Sequence, residues 1–289
     1  ACLDKSTERK KSRKQIFIIA TSLMAIIFFT LPASLLLSNA SIKEAVAFAQ
    51  ANNLESAEKS FKQAARLDPF YGEIRATLAS IEKIQNNKEE TIKYMEEAIK
   101  KSPYDFSLYS SLADIYLYYG DVEAAVEAGK KSAACAPWVI SAYQSLTEAY
   151  VQGGIDCLSQ GDIEGAKAYF KECSSLPEVL NDKAGNIPEK AKAIWDQKEA
   201  FFNFNSRINM NIGVSQLYLG QFPKAQEYLA KAYKDEEMKP EAGFWLAVLF
   251  QKTGMEDEAQ NYLVDADQKL KARFQNLVDL SVISGGMEN

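Results

Sequence analysis

Apolar residues in this chain recur at helical spacing, and the spacing itself repeats. Three prolines, Pro69, Pro103 and Pro137, stand 34 residues apart, a period that marks stacked pairs of helices. Numbering each unit so that its proline is position 32 starts the units at Ser38, Gly72 and Phe106. Large apolar side chains then align: Leu78 and Leu112 at position 7, Phe48 and Tyr116 at position 11, Phe61 and Met95 at position 24. Separations of three, four and seven residues place such side chains on one helical face. Small residues align between them. Position 8 holds Ala45, Ala79 and Ala113; position 20 holds Ala57, Thr91 and Ala125; position 27 holds Ala64, Ala98 and Ser132. Small side chains at fixed places are what two closely packed helices require. Position 15 is Asn52, Asn86 and Gly120, residue types that accept the left-handed backbone at a helix C-terminus. The exception is Gly129 at position 24, where a large side chain is expected. Either a neighbour such as Trp138 fills that gap or the register slips locally.

The pattern resembles the tetratricopeptide repeat family over most of residues 41–266. After Pro137 the register is disturbed and returns: Tyr143, Leu146 and Tyr150 open a fourth unit, and Gly161, Ala166, Phe170 and Cys173 close it. Its first helix is expected to be one long segment, Ser141–Gln160. Residues 174–187, rich in Ser, Pro, Asn, Asp and Gly, read as a loop. A helix from Pro188 to about Phe204 follows, carrying Trp195, Phe201 and Phe202. Gly213, Gly220, Ala225, Leu229 and Ala232 make a fifth unit, and Ala247, Phe250, Gly254, Ala259 and Ala266 a sixth. The expected fold is therefore an all-α helical solenoid of about six helix pairs, with an inserted helix and a C-terminal capping helix. The expected divisions are repeats 1–4 over 38–177, the loop and inserted helix over 178–205, repeats 5–6 over 206–266, and the cap and tail over 267–289.

Residues 15–42 carry no charge, and within them Ile16–Leu37 is an apolar run. As a helix it would be roughly 33 Å long, enough to span a bilayer's hydrocarbon core. Residues 1–14 hold six basic side chains against Asp4 and Glu8, a flank expected to stay cytoplasmic. The expectation is thus a basic cytoplasmic flank over 1–15, a single transmembrane helix over 16–37 contacting the lipid bilayer, and extracytoplasmic repeats. A cleaved secretory leader ending at Ser38-Asn39-Ala40 is the alternative.

With the basic flank set aside, a net charge of −6 for the whole chain becomes −10 for the remainder, which argues against a nucleic-acid partner. Composition, 47% hydrophobic and 25% charged, is that of a folded protein. Histidine is absent, which removes Ser-His-Asp and Cys-His chemistry and His-containing zinc sites. No cofactor, metal site or enzymatic activity is expected. Cys173 occupies a small-residue position and reads as a core side chain; it could also meet Cys157 across the fourth helix pair.

In the family resembled, residues of the first helix of each pair line a binding groove. The corresponding residues here are Ser110, Asp114, Leu117 and Tyr118 in the third unit, Gln144, Glu148 and Val151 in the fourth, and Met210, Val214, Leu217 and Tyr218 in the fifth. The resemblance implies a protein or peptide partner, with an envelope glycan as the alternative. The segments "SPYDFSLYSSLADIYLYYGD", "LPEVLND" and "IPEKAKAIW" are also similar to the exterior tail of bacterial O-antigen ligase and polymerase-like membrane proteins. The two functional expectations are an extracytoplasmic protein–protein interaction scaffold and the non-catalytic C-terminal part of a glycan transferase.

Overall fold

The computed structural model describes residues 2–186, 204–266 and 268–283, and every regular element among them is helical. The chain forms two compact units, Ala1–Pro103 and Tyr104–Asn289.

The first unit holds α1 (Cys2–Gln50), α2 (Leu54–Leu67), α3 (Gly72–Ile84) and α4 (Lys88–Lys101). Its core is Ala45, Ala57, Phe61, Ala64, Ile74, Leu78 and Ile81. The second unit holds α5 (Phe106–Tyr118), α6 (Val122–Cys135), a 3₁₀ turn (Ile140–Tyr143), α7 (Gln144–Gln160), α8 (Ile163–Ser174), α9 (Leu176–Gly185), α10 (Ser206–Tyr218), α11 (Phe222–Tyr233), α12 (Lys239–Lys252), α13 (Glu256–Leu263) and α14 (Gln268–Asp279). The expected Pro188–Phe204 helix lies outside the described residues except for Phe204, as does the tail after Ile283.

All nine small residues at positions 8, 20 and 27 of the first three units are 0% exposed. They sit where the two helices of a pair meet. One link recurs between positions 1 and 27. Ser38 Oγ donates to the carbonyl of Ala64 (3.1 Å), and Ser132 Oγ to that of Phe106 (3.0 Å). At Gly72 a Cβ would stand 3.1 Å from the carbonyl of Ala98. Ser132 is thus both small and hydrogen-bonded, as a buried hydroxyl must be.

The turns within the pairs are built alike. Asn52, Asn86, Gly120, Gly161, Gly220 and Gly254 all have positive φ, between 57° and 80°. The residue after each donates its N–H back across the turn. Asn53 reaches the Phe48 carbonyl at 2.9 Å, Asp121 that of Tyr116 at 2.8 Å, and Asp162 that of Cys157 at 2.8 Å. This satisfies carbonyls that the end of a helix leaves open. The same three residues then cap the next helix: their side chains accept from Ser56, Ala124 and Gly165 N–H. One residue closes the first helix and starts the second.

Gly129 keeps its register. It is buried, and a Cβ there would stand 2.9 Å from both Cα and Cβ of Leu146. The neighbour that takes the space is Leu146 of α7, while Trp138 is 40% exposed. In α7, Gly153 and Gly154 do not interrupt the helix; they admit the rings of Tyr169 and Phe170 from α8. Residues 174–187, expected as a loop, instead contain α9, with Leu176 and Leu180 buried. Cys135, Cys157 and Cys173 form no disulfide, and Cys173 is fully buried in the core, as its small-residue position requires.

The expectation of a membrane span requires correction. The apolar run is the middle of α1, a single 49-residue helix, and its last residues belong to the repeat packing. Ser34, inside the expected 16–37 span, donates to the Leu67 carbonyl of α2 at 2.6 Å. Among the described residues, no helix is long and apolar enough to cross a membrane. The single-pass localisation, the bilayer contact and the sidedness derived from them fall with the span.

The Gly129 contact is with backbone as well as side chain, so little can yield. Gly129→Val should destabilise the protein by about 1–3 kcal/mol through overpacking, read as a lower urea midpoint. An unchanged midpoint would show that α6 and α7 do not approach this closely.

Candidate functional site on the first helices of the pairs

The groove residues expected from sequence divide sharply. On α5, Asp114 is exposed, Leu117 and Ser110 are half-buried, and the Tyr118 ring is 56% exposed. Tyr118 packs edge-on against Tyr119, ring centres 4.9 Å apart. On α7, Gln144 and Glu148 are half-buried, whereas Val151 is in the core. Ser110 and Ser145 share a 2.7 Å hydrogen bond that ties α5 to α7.

Met210, Val214, Leu217 and Tyr218 do not line an open face. They are buried, none more than 3% exposed. Spacing placed them correctly on a first helix, but α10 is covered from Ile208 to Leu219. For Tyr218 the cover is the C-terminal segment: its hydroxyl donates to the Leu277 carbonyl (3.0 Å), and Ile283 N–H donates to its own carbonyl (2.7 Å). Lys252 fastens that segment with bonds of 2.6 Å to the carbonyls of Val278 and Leu280. The ring of Tyr218 stacks on Phe170 at 5.3 Å.

Sequence reasoning missed three residues that join the accessible strip to α10 and α12. Asn205, the cap of α10, donates to Gln144 Oε1 at 2.9 Å. Arg207 places its guanidinium 3.7 Å from Glu148. Glu241 of α12 is close enough to act on Glu148 electrostatically, as is Asp114. The available signal was the N-cap pattern at Asn205 and the position of Arg207 one helical turn before Met210 and Asn211.

Glu148 is the electrostatic centre of this face. Desolvation raises its pKa above the ordinary carboxylate value; Arg207 opposes that shift, and Asp114 and Glu241 add to it. Its side chain is still 43% exposed, so water screens these interactions and their energetic weight is modest. Chemically the face offers aromatic and hydroxyl surface beside a net negative charge.

Residues 42–106 and 210–266 match the tetratricopeptide repeat family. A comparison with curated protein sequences gave no significant match. Among solved structures, the chain resembles a thermophilic tetratricopeptide repeat protein of Thermus thermophilus, at 25% identity and a TM-score of 0.51, over 72% of this chain and 100% of that one. It also resembles a tetratricopeptide repeat protein from Parabacteroides merdae, at 14% identity and a TM-score of 0.55, over 83% and 86% of the two chains. Pseudomonas aeruginosa pilF aligns at 14% identity and a TM-score of 0.50, over 78% and 88%. The two weaker identities speak to fold alone.

Folding raises the pKa of Glu148, so its ionisation costs native stability, a cost that sets in as pH rises above the unfolded carboxylate value and is complete once pH passes the folded value. Glu148→Gln should therefore melt above the wild type at pH 7. The difference should vanish below about pH 4, where the wild-type side chain is also neutral. A variant that melts lower at pH 7 would assign the larger role to the Arg207 pair.

Proposed function

We propose that this chain, built of tetratricopeptide repeats, is a protein–protein interaction scaffold whose docking strip is the accessible part of α5 and α7. The observation that carries the reading is the contrast among first helices of the second unit. Tyr118 and Asp114 stand exposed on α5, while the equivalent residues of α10 are sealed in the core. Large exposed aromatic side chains beside hydroxyls and carboxylates are what a peptide-binding surface uses, because a ring contributes contact area with little loss of side-chain freedom.

The partner that suits this strip is an extended peptide or protein segment with basic and apolar side chains. Asp114, Glu148 and Glu241 outnumber Arg207 there, and complementary charge orients and speeds encounter. The reading in which the chain is the tail of a glycan ligase has no observation of its own in this fold.

Asp114→Arg combined with Tyr118→Ala should weaken capture of a partner by about tenfold or more, the scale of losing an aromatic anchor and reversing a charge. Both positions are exposed, so the melting temperature should stay near that of the wild type. Retained affinity in a titration against the partner, with folding intact, would remove this strip from the binding surface.

A further inference from the structure

A second concavity lies away from the strip. It is a cavity of about 530 Å³ between α9, the start of α10 and α11, within the size range of small-molecule sites. Phe204 and Tyr228 supply aromatic wall, and Asn181, Asn209, Lys231 and Lys234 supply polar groups.

The polar groups are unequally used. Asn209 is 8% exposed. Its amide nitrogen donates to the carbonyls of Phe204 (2.8 Å) and Asn205 (3.2 Å), which leaves Oδ1 as an acceptor with no hydrogen bond among the described residues. Lys231 is engaged: its ammonium bonds Glu227 at 2.8 Å and lies 4.9 Å from the centre of the Tyr228 ring. The Lys234 ammonium makes no ion pair or hydrogen bond among the described residues. Glu178 and Glu227 also act on Tyr228, so the neighbourhood is not broadly cationic. Among the described residues it holds one cation without an ion pair, an amide acceptor on a mostly buried residue, and two aromatic side chains.

We propose that this cavity binds a small hydroxylated organic acid of the sugar-acid class. One carboxylate would meet Lys234. Ring hydroxyls would donate to Asn209 Oδ1 and exchange hydrogen bonds with the Asn181 amide and the Tyr228 hydroxyl. The apolar face of the sugar ring would lie on Phe204 and Tyr228. A multiply charged anion fits poorly, because Glu227 already occupies Lys231. A neutral sugar forgoes the ammonium, and a bare carboxylate forgoes the amide hydrogen bonds and the stacking of a ring on Phe204 and Tyr228.

The test is calorimetric titration of the full chain with glucuronate, with glucose and acetate in parallel, on the wild type and Lys234→Glu. Glucuronate should bind saturably, and glucose and acetate each about tenfold more weakly or worse, the scale of losing one charged or buried hydrogen bond. Lys234→Glu should abolish glucuronate binding while melting as the wild type does, since the side chain is exposed. The proposal is overturned by no saturable binding of glucuronate, by acetate or glucose binding as well as glucuronate, or by equal binding to Lys234→Glu.

Discussion

The structure depends on how closely the two helices of each pair approach. That distance is set by side chains that are nearly absent: alanine, serine, threonine or cysteine at three recurring places, and glycine where the approach is tightest. At Gly154 and Gly213 within pairs, and at Gly129 between neighbouring pairs, even one added carbon would stand within 2.9 Å of a neighbour. Large side chains then fill the space the small ones leave. Phe170 and Leu229 are 0% exposed because the facing helix offers Gly154 and Gly213 to receive them. Packing of this density leaves no room for a shift of register. It holds the accessible face of α5 and α7 in place, with Leu117 and Val151 turned to the core.

Much of this was legible because it is local. The left-handed residue at position 15 must be Gly or Asn, and it recurs at the repeat period, so the turns and the pairing could be read directly. The small positions follow the same period for the same reason. Two local features were misread or missed. The Ser, Pro, Asn, Asp and Gly content of 174–187 reads as a loop, yet Pro177 is the second residue of α9, where the missing N–H has no helical partner to lose. Leu176 and Leu180, one turn apart, were the signal that this segment packs. The N-caps at Asn53, Asp121 and Asp162 sit directly after the position-15 residues and carry the same period.

What the sequence could not reveal is which faces other segments cover. Met210, Val214 and Tyr218 occupy the same helical face as Ser110, Asp114 and Tyr118. Their burial is decided in part by a C-terminal segment some sixty residues later in sequence, through Leu277, Ile283 and Lys252. The same blindness affected the N-terminus. Apolar length alone suggested a membrane span, whereas Ser34 and Ser38 commit the end of that run to α2. A periodic pattern specifies which side of a helix is apolar; it does not specify what comes to lie on it.

The most direct measurement uses the cysteines already present. Cys173 stands at a small-residue position with no exposure, and burial pushes its thiol pKa up to about 12, while Cys135 and Cys157 are partly exposed. Maleimide labelling of the native protein, resolved by mass spectrometry, should modify Cys135 and Cys157 in the folded state and Cys173 only at the rate of global unfolding. Native-state modification of Cys173 as fast as that of Cys157 would mean that the helix pair is not closed at this position, and would contradict the register on which the whole account is built.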